Sequence, residues 1–283
     1  MDPLDFDRRF DARPGRVERL SPLVRRVLCG NPGPFTFTGT STYIVGNGHA
    51  AVIDPGPADE AHLAALLAAL EGETVTHILV THSHADHAAL AGRLKSATGA
   101  ATYGHAGAGM DHSLDHGEAI EGRGWSLAAL HTPGHMADHL CFALDEEKAL
   151  FTGDHVMAWS TSVIAPPEGH MGDYFQSLRL LLERDDDVYW PAHGPGRRDP
   201  KPLVRGLLAH RKMREDMILG RIKSGDGGIA AIVAAVYPKL DPALRAAAAL
   251  SVRAHVEHLM ERGLVCPRVG LYVATGTGET RLC

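Results

Sequence analysis

The segment His82-Ser83-His84-Ala85-Asp86-His87 carries four metal-ligand side chains within six residues, directly after Thr74–Thr81, a run predicted to form a buried strand. Because His82 and His84 stand two residues apart on extended chain, their side chains point to the same side. The Asp-His pair follows at the start of a predicted helix, 86–97, where the chain can fold back. Imidazole suits zinc and iron, and an added carboxylate suits a second, harder cation. The spacing therefore predicts a metal site at the end of a strand, in preference to a solvated polar loop.

Three further ligand-type residues stand in tight, glycine-containing loops. These loops are Thr132-Pro133-Gly134-His135, Thr152-Gly153-Asp154-His155 and Pro191-Ala192-His193-Gly194. Each follows a run predicted to be a strand. A single histidine in a loop is more often solvated than bound to a metal. Four such segments in one chain, each after a strand, together predict one shared site.

The composition predicts a globular protein without a membrane segment. The chain has 283 residues, of which 45% are apolar and 22% are charged. A chain of this length and composition can form one large domain and one small domain, each with its own core. No apolar run approaches the roughly 20 residues that span a bilayer, and residues 1–9 are too polar for a signal peptide. Four separated cysteines, without a Cys-x-x-Cys pair, indicate neither a disulfide framework nor a structural zinc site. We therefore expect a cytoplasmic protein with no membrane partner.

Short strands and helices alternate up to residue 200, after an arginine-rich arm or loop of about 20 residues. The predicted strands are 24–28, 40–45, 50–53, 74–81, 125–130, 140–144, 149–151 and 188–190, and the predicted helices are 58–70, 86–97 and 174–184. Strands mixed with helices, with polar loops after the strands, predict an α/β sandwich.

Pro200-Lys201-Pro202 marks a change in character. Three predicted helices follow, at 203–223, 229–236 and 242–262, and then a two-stranded ribbon formed by 263–266 and 270–274. This order predicts a winged-helix-like module, so the expected domains are residues 1–200 and 201–283.

The charge is unevenly distributed between these two parts. Residues 1–200 hold 15 basic and 27 acidic side chains, whereas residues 201–283 hold 13 basic and 7 acidic ones. A basic tail on an acidic body favours a polyanionic partner or a charge-balanced contact between the two parts. Arg211, Lys212 and Arg214 are the cations that we expect to face a polyanion. No basic stripe interleaved with aromatic residues, of the kind that stacks bases, accompanies them.

The motif His-x-His-x-Asp-His, followed in order by a histidine, an aspartate and a histidine, resembles the ligand motifs of the metallo-β-lactamase superfamily over roughly residues 40–200. The resemblance implies an αββα sandwich that binds two divalent cations, with Zn2+ expected, and names Asp86 and Asp154 as catalytic. It assigns one cation to His82, His84 and His135, the second to Asp86, His87 and His193, and a bridging role to Asp154. Ala88-Ala89 replaces the usual glycine pair, which leaves the ligands intact.

A finer resemblance links Thr132–His139, Thr152–Ser162 and Ala165–Gly169 to the beta-lactamase-like protein 2 group. That group joins the sandwich to a C-terminal winged-helix-like segment and includes an endonuclease of single-stranded RNA. The resemblance implies RNA as a substrate.

Two metals can share one hydroxide and polarise the substrate oxygen, so the site predicts a dinuclear hydrolase with a metal-bridging hydroxide. Attack on phosphorus corresponds to the first hypothesis, a phosphodiesterase acting on single-stranded RNA. Attack on a carbonyl carbon corresponds to the alternative, a thioester or lactone hydrolase of the glyoxalase II type. Iron-dependent persulfide oxidation ranks third because it needs one metal, and a non-catalytic scaffold with a DNA-binding tail ranks last. The tail could equally pack over the mouth of the active site.

Several residues beside the ligands have two interpretations each. Asp54 is either a hydrogen-bond partner of a metal-bound histidine or a turn residue that ends a strand. Asp138, His139 and His155 either orient ligands or shape their loops. By resemblance, Trp159, Ser160 and Thr161 line the substrate cleft.

Overall fold

Two β-sheets pack face to face in the computed structural model, which describes residues 4–268 and 270–275. The first sheet contains, in spatial order, β1 (Val17–Arg19), β2 (Val24–Leu28), β3 (Ser41–Val45), β4 (His49–Ile53), β5 (Thr74–Leu79), β6 (Ala101–Gly104) and β7 (His112–Ser113). The second contains β8 (Ala119–Gly122), β9 (Trp125–His131), β10 (Leu140–Leu144), β11 (Ala149–Gly153), β12 (Val188–Pro191) and β13 (Arg197–Arg198), in the order β13-β12-β11-β10-β9-β8.

Side-chain alternation along the strands divides the core into layers. In β10, Phe142 packs between the two sheets while its neighbour Cys141 packs on the outer face. In β3, Tyr43 points between the sheets and Ile44 points outward. A strand with both faces covered can be apolar throughout, as Leu140–Leu144 of β10 is.

Helices cover both outer faces. The helices are α1 (Glu60–Ala69), α2 (Ala85–Ala88), α3 (Ala91–Thr98), α4 (Met171–Glu183), α5 (Lys201–Lys223), α6 (Ile229–Val236) and α7 (Arg245–Glu261). Helices α1 and α3 pack on the first sheet, and α4 with the start of α5 packs on the second. The predicted αββα sandwich is confirmed. None of the helices in the described part of the chain is both long and apolar enough to cross a membrane.

The end of α5, together with α6, α7 and the ribbon of β14 (Val265–Arg268) and β15 (Leu271–Ala274), forms a separate apolar cluster. Three helices and a ribbon agree with the predicted winged-helix-like module. Helix α5 belongs to both parts, because Leu207 packs on the sandwich and Ile218 packs in the C-terminal cluster. The domain boundary at residue 200 therefore stays a prediction.

The structure departs from the predicted elements in β1, in the helix 86–97 and in four short strands that were not predicted, β6, β7, β8 and β13. Strand β1 lies within the segment predicted as an arm, and the predicted helix 86–97 is divided into α2 and α3. The division has a tertiary cause: Gly56 donates its N–H to the carbonyl of His87 and accepts the N–H of Leu90, both at 3.0 Å. These bonds replace hydrogen bonds that a continuous helix would make within itself.

Candidate metal centre

All seven predicted ligands lie where strands of both sheets end. Strands β4 and β5 run parallel in the first sheet, as do β11 and β12 in the second, so the loops after each pair leave the same edge. The ligand atoms form two groups, and within each group they all lie within 4.8 Å of one another. The groups are His82, His84, His135 and Asp154, and Asp86, His87 and His193.

The first group is built around the His84 ring. Its Nδ1 lies 2.9 Å from Nε2 of His82 and 3.2 Å from Nε2 of His135. Nitrogen ligands at about 2.0–2.1 Å from a tetrahedral zinc are about 3.3 Å from one another. The three imidazoles therefore have the spacing that one such cation requires.

The second group is built around the Asp86 carboxylate. Its Oδ2 lies 3.4 Å from Nε2 of His193 and 3.5 Å from Nε2 of His87. Asp154 contacts both groups: its Oδ1 is 3.2 Å from Nε2 of His193, and its Oδ2 is 3.6 Å from Nε2 of His135. One oxygen faces each group, so this carboxylate is within reach of both.

The electrostatics of these side chains fit divalent cations. Burial lowers the pKa of His87, but the carboxylates of Asp54 and Asp154 outweigh it and raise the pKa to about 10, so this group favours positive charge. Burial lowers the pKa of His82 well below its usual range, which leaves the neutral imidazole that metals bind. Among the described residues, Nε2 of His87 and Oδ1 of Asp154 are buried without a hydrogen-bond partner. A cation would satisfy both atoms.

Asp54 supports ligands of both groups. Its Oδ2 lies 2.9 Å from Nδ1 of His87. Its Oδ1 accepts the backbone N–H of Thr81 at 2.7 Å, and the Thr81 hydroxyl lies 3.0 Å from Nδ1 of His82. Asp54 has a φ of 51°, in the left-handed region that aspartate seldom adopts. Of the two interpretations of Asp54, this geometry favours the hydrogen-bond partner of a ligand histidine.

The residues beside the ligands shape the loops more than they orient the rings. His139 accepts the backbone N–H of Asp154 through Nε2 at 3.2 Å. Gly153 has a φ of 49°, and a Cβ there would lie 2.6 Å from the same nitrogen, so only glycine allows this approach. Asp138 accepts the backbone N–H of Ser83, and the buried His155 ring makes no hydrogen bond within the described residues.

A cleft of about 360 Å³ opens over the two groups. As the resemblance implied, Trp159, Ser160 and Thr161 line it. Sequence reasoning missed its other walls, Phe35, Met157 and Val163, because apolar residues in loops carry no spacing signal. No lysine or arginine of the described chain lines this cleft.

The expectation that Arg211, Lys212 and Arg214 together face a polyanion is wrong for Arg211, which is buried. Arg211 is only 4% exposed, and its guanidinium donates to the carbonyl of Ser162. Arg214 packs over the ring of Tyr237, and Lys212 alone of the three is exposed. A sequence signal existed, because Arg211 continues the buried stripe of Val204, Leu207, Glu215 and Ile218 at helical spacing.

Known proteins share both the fold and much of the sequence. A beta-lactamase domain protein from Burkholderia ambifaria superposes with a TM-score of 0.80 at 20% identity, covering 94% of this chain and 96% of its own. An atrochrysone carboxyl ACP thioesterase from Cryptosporiopsis is 35% identical over 72% of this chain. Its counterpart in Aspergillus aculeatus is 35% identical over 73%.

The chain spans 64% of the length of the Cryptosporiopsis relative and 68% of the Aspergillus one. These relatives are named as thioesterases and not as beta-lactamase-like protein 2, so the predicted subgroup is not confirmed. A beta-lactamase associated winged helix domain matches residues 229–266, which confirms the predicted C-terminal element. The metallo-beta-lactamase superfamily matches residues 35–193, more than half of the chain and all four ligand segments. The chain therefore belongs to the metallo-β-lactamase superfamily.

Proposed function

We propose that this chain is a metal-dependent thioesterase that hydrolyses acyl thioesters with an apolar acyl group. One observation carries the proposal: the two ligand groups lie at the base of a cleft whose remaining walls are apolar or hydroxyl-bearing and uncharged. Apolar walls bind an acyl chain by excluding water from it. The thioesterase names of the relatives support the same substrate class.

The seven side chains are proposed to hold two divalent cations, Zn2+ by the chemistry of an imidazole-rich set. When bound, such cations act as Lewis acids and lower the pKa of water towards neutrality. His82, His84 and His135 would hold one, and Asp86, His87 and His193 the other. Asp154, which lies beside ligands of both groups, would be shared by the two cations.

Side chains of the cleft bind the thioester, and the Asp86 carboxylate takes up the proton that the attacking water releases. The Asp86 carboxylate is 30% exposed in the cleft, and hydrogen bonding from His193 keeps its pKa well below its usual range despite burial. It is therefore ionised, and because so low a pKa makes it a weak base, it can hold the proton of the attacking water only transiently. As water adds to the carbonyl carbon, its hydroxyl stays on the acyl group, which becomes a carboxylic acid. The C–S bond breaks, and the proton that the water gave up passes from Asp86 to the sulfur, which leaves as a thiol. Thr36 and Ser160 supply hydroxyls along the wall.

The RNA hypothesis has less support. A phosphodiester backbone binds through lysine and arginine side chains, and none lines the cleft in the described chain. Arg211, the cation expected to bind a polyanion, is buried. These findings favour the carbonyl substrate over the phosphodiester.

The test is hydrolysis of an acyl-thioester panel beside cleavage of a labelled, unstructured RNA, with metal analysis of the same protein. We expect thioester hydrolysis that a chelator abolishes. Asp154→Asn should lower kcat by at least about 100-fold, because it removes a charged ligand at the reacting centre.

Asp186→Asn is the matched control, because Asp186 is equally buried at 9% but pairs with Arg184, away from the ligands. It should keep kcat within about twofold. Cleavage of RNA with no thioester hydrolysis would reject the proposal.

A further inference from the structure

We propose that Arg211, a residue of helix α5, is a positioning residue. It holds the loop of residues 154–163 in the conformation that places the ligands Asp154 and His135. The inference rests on the proposed function, because it concerns the same site. It begins from a buried cation that has no charged partner. Arg211 is 4% exposed, and no carboxylate of the described residues lies within 4.0 Å of its side chain. Burying an unpaired guanidinium is costly, so its contacts indicate what it stabilises.

Of the three contacts of Arg211, the charged hydrogen bond is made to the loop, and the other two are made to α7 and α4. The Arg211 Nη2 donates to the carbonyl of Ser162, and its Nη1 lies 3.4 Å from the Ser251 hydroxyl of α7. The guanidinium carbon lies 5.4 Å from the centre of the Tyr174 ring. A charged donor on a buried carbonyl makes a strong hydrogen bond, and the ring face offsets part of the lost hydration.

Ser162 transmits this contact to Asp154. Its hydroxyl lies 2.6 Å from the carbonyl oxygen of Asp154 and 2.7 Å from that of His155. The Tyr174 hydroxyl donates to the same His155 carbonyl at 3.1 Å. The Ser162 side chain therefore ties the end of the loop to its beginning, and Arg211 binds the loop at Ser162.

The next residue of the loop transmits the contact to His135. The carbonyl of Val163 accepts a hydrogen bond from Nδ1 of His135 at 2.6 Å, which leaves Nε2 to face the first ligand group. A backbone acceptor of this kind sets the ring orientation and tautomer of a ligand histidine. Arg211 thus acts on two ligands without touching either. The same loop supplies Met157 and Trp159 to the cleft.

The test compares Arg211→Met with Arg214→Met in the full chain. Arg214 lies three residues further along α5, donates to the carbonyl of Val236 and packs over Tyr237, within the C-terminal module. Both variants remove one guanidinium from the same helix, but only the first removes the contact with the loop. The readouts are hydrogen exchange of residues 154–163 in metal-free protein, and Zn2+ affinity by calorimetry. Neither depends on a substrate.

In Arg211→Met we expect the backbone amides of residues 154–163 to exchange their hydrogens at least about tenfold faster. That factor corresponds to the loss of one charge-assisted hydrogen bond. Zn2+ should bind about 10- to 100-fold more weakly, and thioester turnover should fall. Arg214→Met should match the wild type in loop exchange and Zn2+ affinity. Arg211→Lys keeps the charge but loses the planar fork that serves two acceptors, so we expect a smaller change in the same direction.

Equal loop exchange and equal Zn2+ affinity in Arg211→Met and Arg214→Met would overturn the inference. If Arg211→Met does not fold, wild-type exchange and affinity in Arg211→Lys would overturn it. A wild type that binds Zn2+ but leaves thioesters intact would refute the proposed function alone, because the loop and affinity measurements would still decide the role of Arg211.

Discussion

At the residue scale, Asp54 has the most exacting role outside the ligand set. Its carboxylate faces His87 directly and reaches His82 through Thr81. Asp54→Asn keeps the shape but removes the charge that makes His87 a strong ligand. We expect Zn2+ affinity to fall by about 10- to 100-fold, as for other partners of ligand histidines, measured by competition calorimetry.

Asp111→Asn is a matched control for that change. Asp111 accepts the backbone N–H and the hydroxyl of Thr102, both at 2.9 Å, just as Asp54 accepts those of Thr81, but it faces no ligand. Its Zn2+ affinity should equal that of the wild type. Equal losses in the two variants would show that Asp54 acts through general stability and not through His87.

Phe35 is the wall residue best suited to a substrate. It lines the cleft and is 57% exposed, so its ring has little to pack against within the protein. Phe35→Ala should raise KM for a long apolar acyl thioester about 5- to 10-fold, the loss expected when part of an aromatic side chain is no longer buried by the ligand. KM for an acetyl thioester should change little.

The free energy of unfolding separates this effect from damage to the fold. It should change by less than about 0.5 kcal/mol in Phe35→Ala, as at other exposed positions. Leu67→Ala, which truncates a 37% exposed side chain on α1, should leave both KM values unchanged. A proportional rise in KM for both acyl lengths would contradict a role in acyl binding.

The sequence indicated the ligands and, through the family resemblance, Asp54 and three cleft residues, but not the contact made by Arg211. Ligand chemistry restricts residue type and spacing, so His-x-His-x-Asp-His was informative without a fold. Arg211 was read as an exposed cation because its partner, the carbonyl of Ser162, lies 49 residues away. A backbone acceptor leaves no trace in residue types, so only the folded chain shows this contact.

At the element scale, the C-terminal module contains a buried charge network centred on Glu215 of α5. Glu215 is 4% exposed and accepts from His258 at 2.7 Å and from Arg262 at 2.5 Å. Burial raises its pKa, but hydrogen bonds from His255 and His258 outweigh burial and lower it to about 2. The network joins α5 to α7.

Glu215→Gln should therefore reduce the free energy of unfolding by about 2–3 kcal/mol at pH 6, because it leaves buried donors poorly paired. The folded pKa lies below the ordinary value of 4.5. The stabilisation is therefore fully present above about pH 4.5 and is lost as the pH falls towards 2. Denaturant unfolding at pH 6 and pH 3 should show the gap between wild type and variant shrinking at the lower pH.

Glu257→Gln provides the comparison, because its pair with Arg253 on α7 is solvent-exposed. It should cost less than about 1 kcal/mol at either pH. A gap for Glu215→Gln that stays constant between pH 6 and pH 3 would contradict the ionic role.

Elements with strong periodic patterns were predictable, and those defined by neighbours were not. The predicted limits of β2, β10 and α6 match the structure residue for residue. Strands β7 and β13 have two residues each and exist only through pairing at a sheet edge. The break between α2 and α3 depends on Gly56, a residue distant in sequence that takes over backbone groups of the helix.

At the scale of the whole molecule, the seven candidate ligands come from both sheets. His82, His84, Asp86 and His87 follow β5 of the first sheet, whereas His135, Asp154 and His193 follow strands of the second. Between the sheets themselves the contact is mainly apolar packing, with hydrogen bonds from the Tyr43 hydroxyl to the carbonyl of Pro191 and from the Trp125 ring to the carbonyl of His49. Cations held by both sets would therefore cross-link the two halves of the sandwich in the folded state only.

Metal removal should therefore lower the melting temperature of the whole protein. A ligand that binds only the folded state at about 100 times its Kd contributes about 2.7 kcal/mol, which for a chain of 283 residues corresponds to about 4–5 °C for each cation. Calorimetry in the presence of a chelator, and again after Zn2+ is added back, measures the difference in melting temperature between the two states. It should shrink in Asp154→Asn, which lacks the carboxylate facing both groups, and persist in Asp186→Asn. A melting temperature that ignores the chelator in the wild type would mean that the seven side chains bind no cation strongly enough to join the sheets.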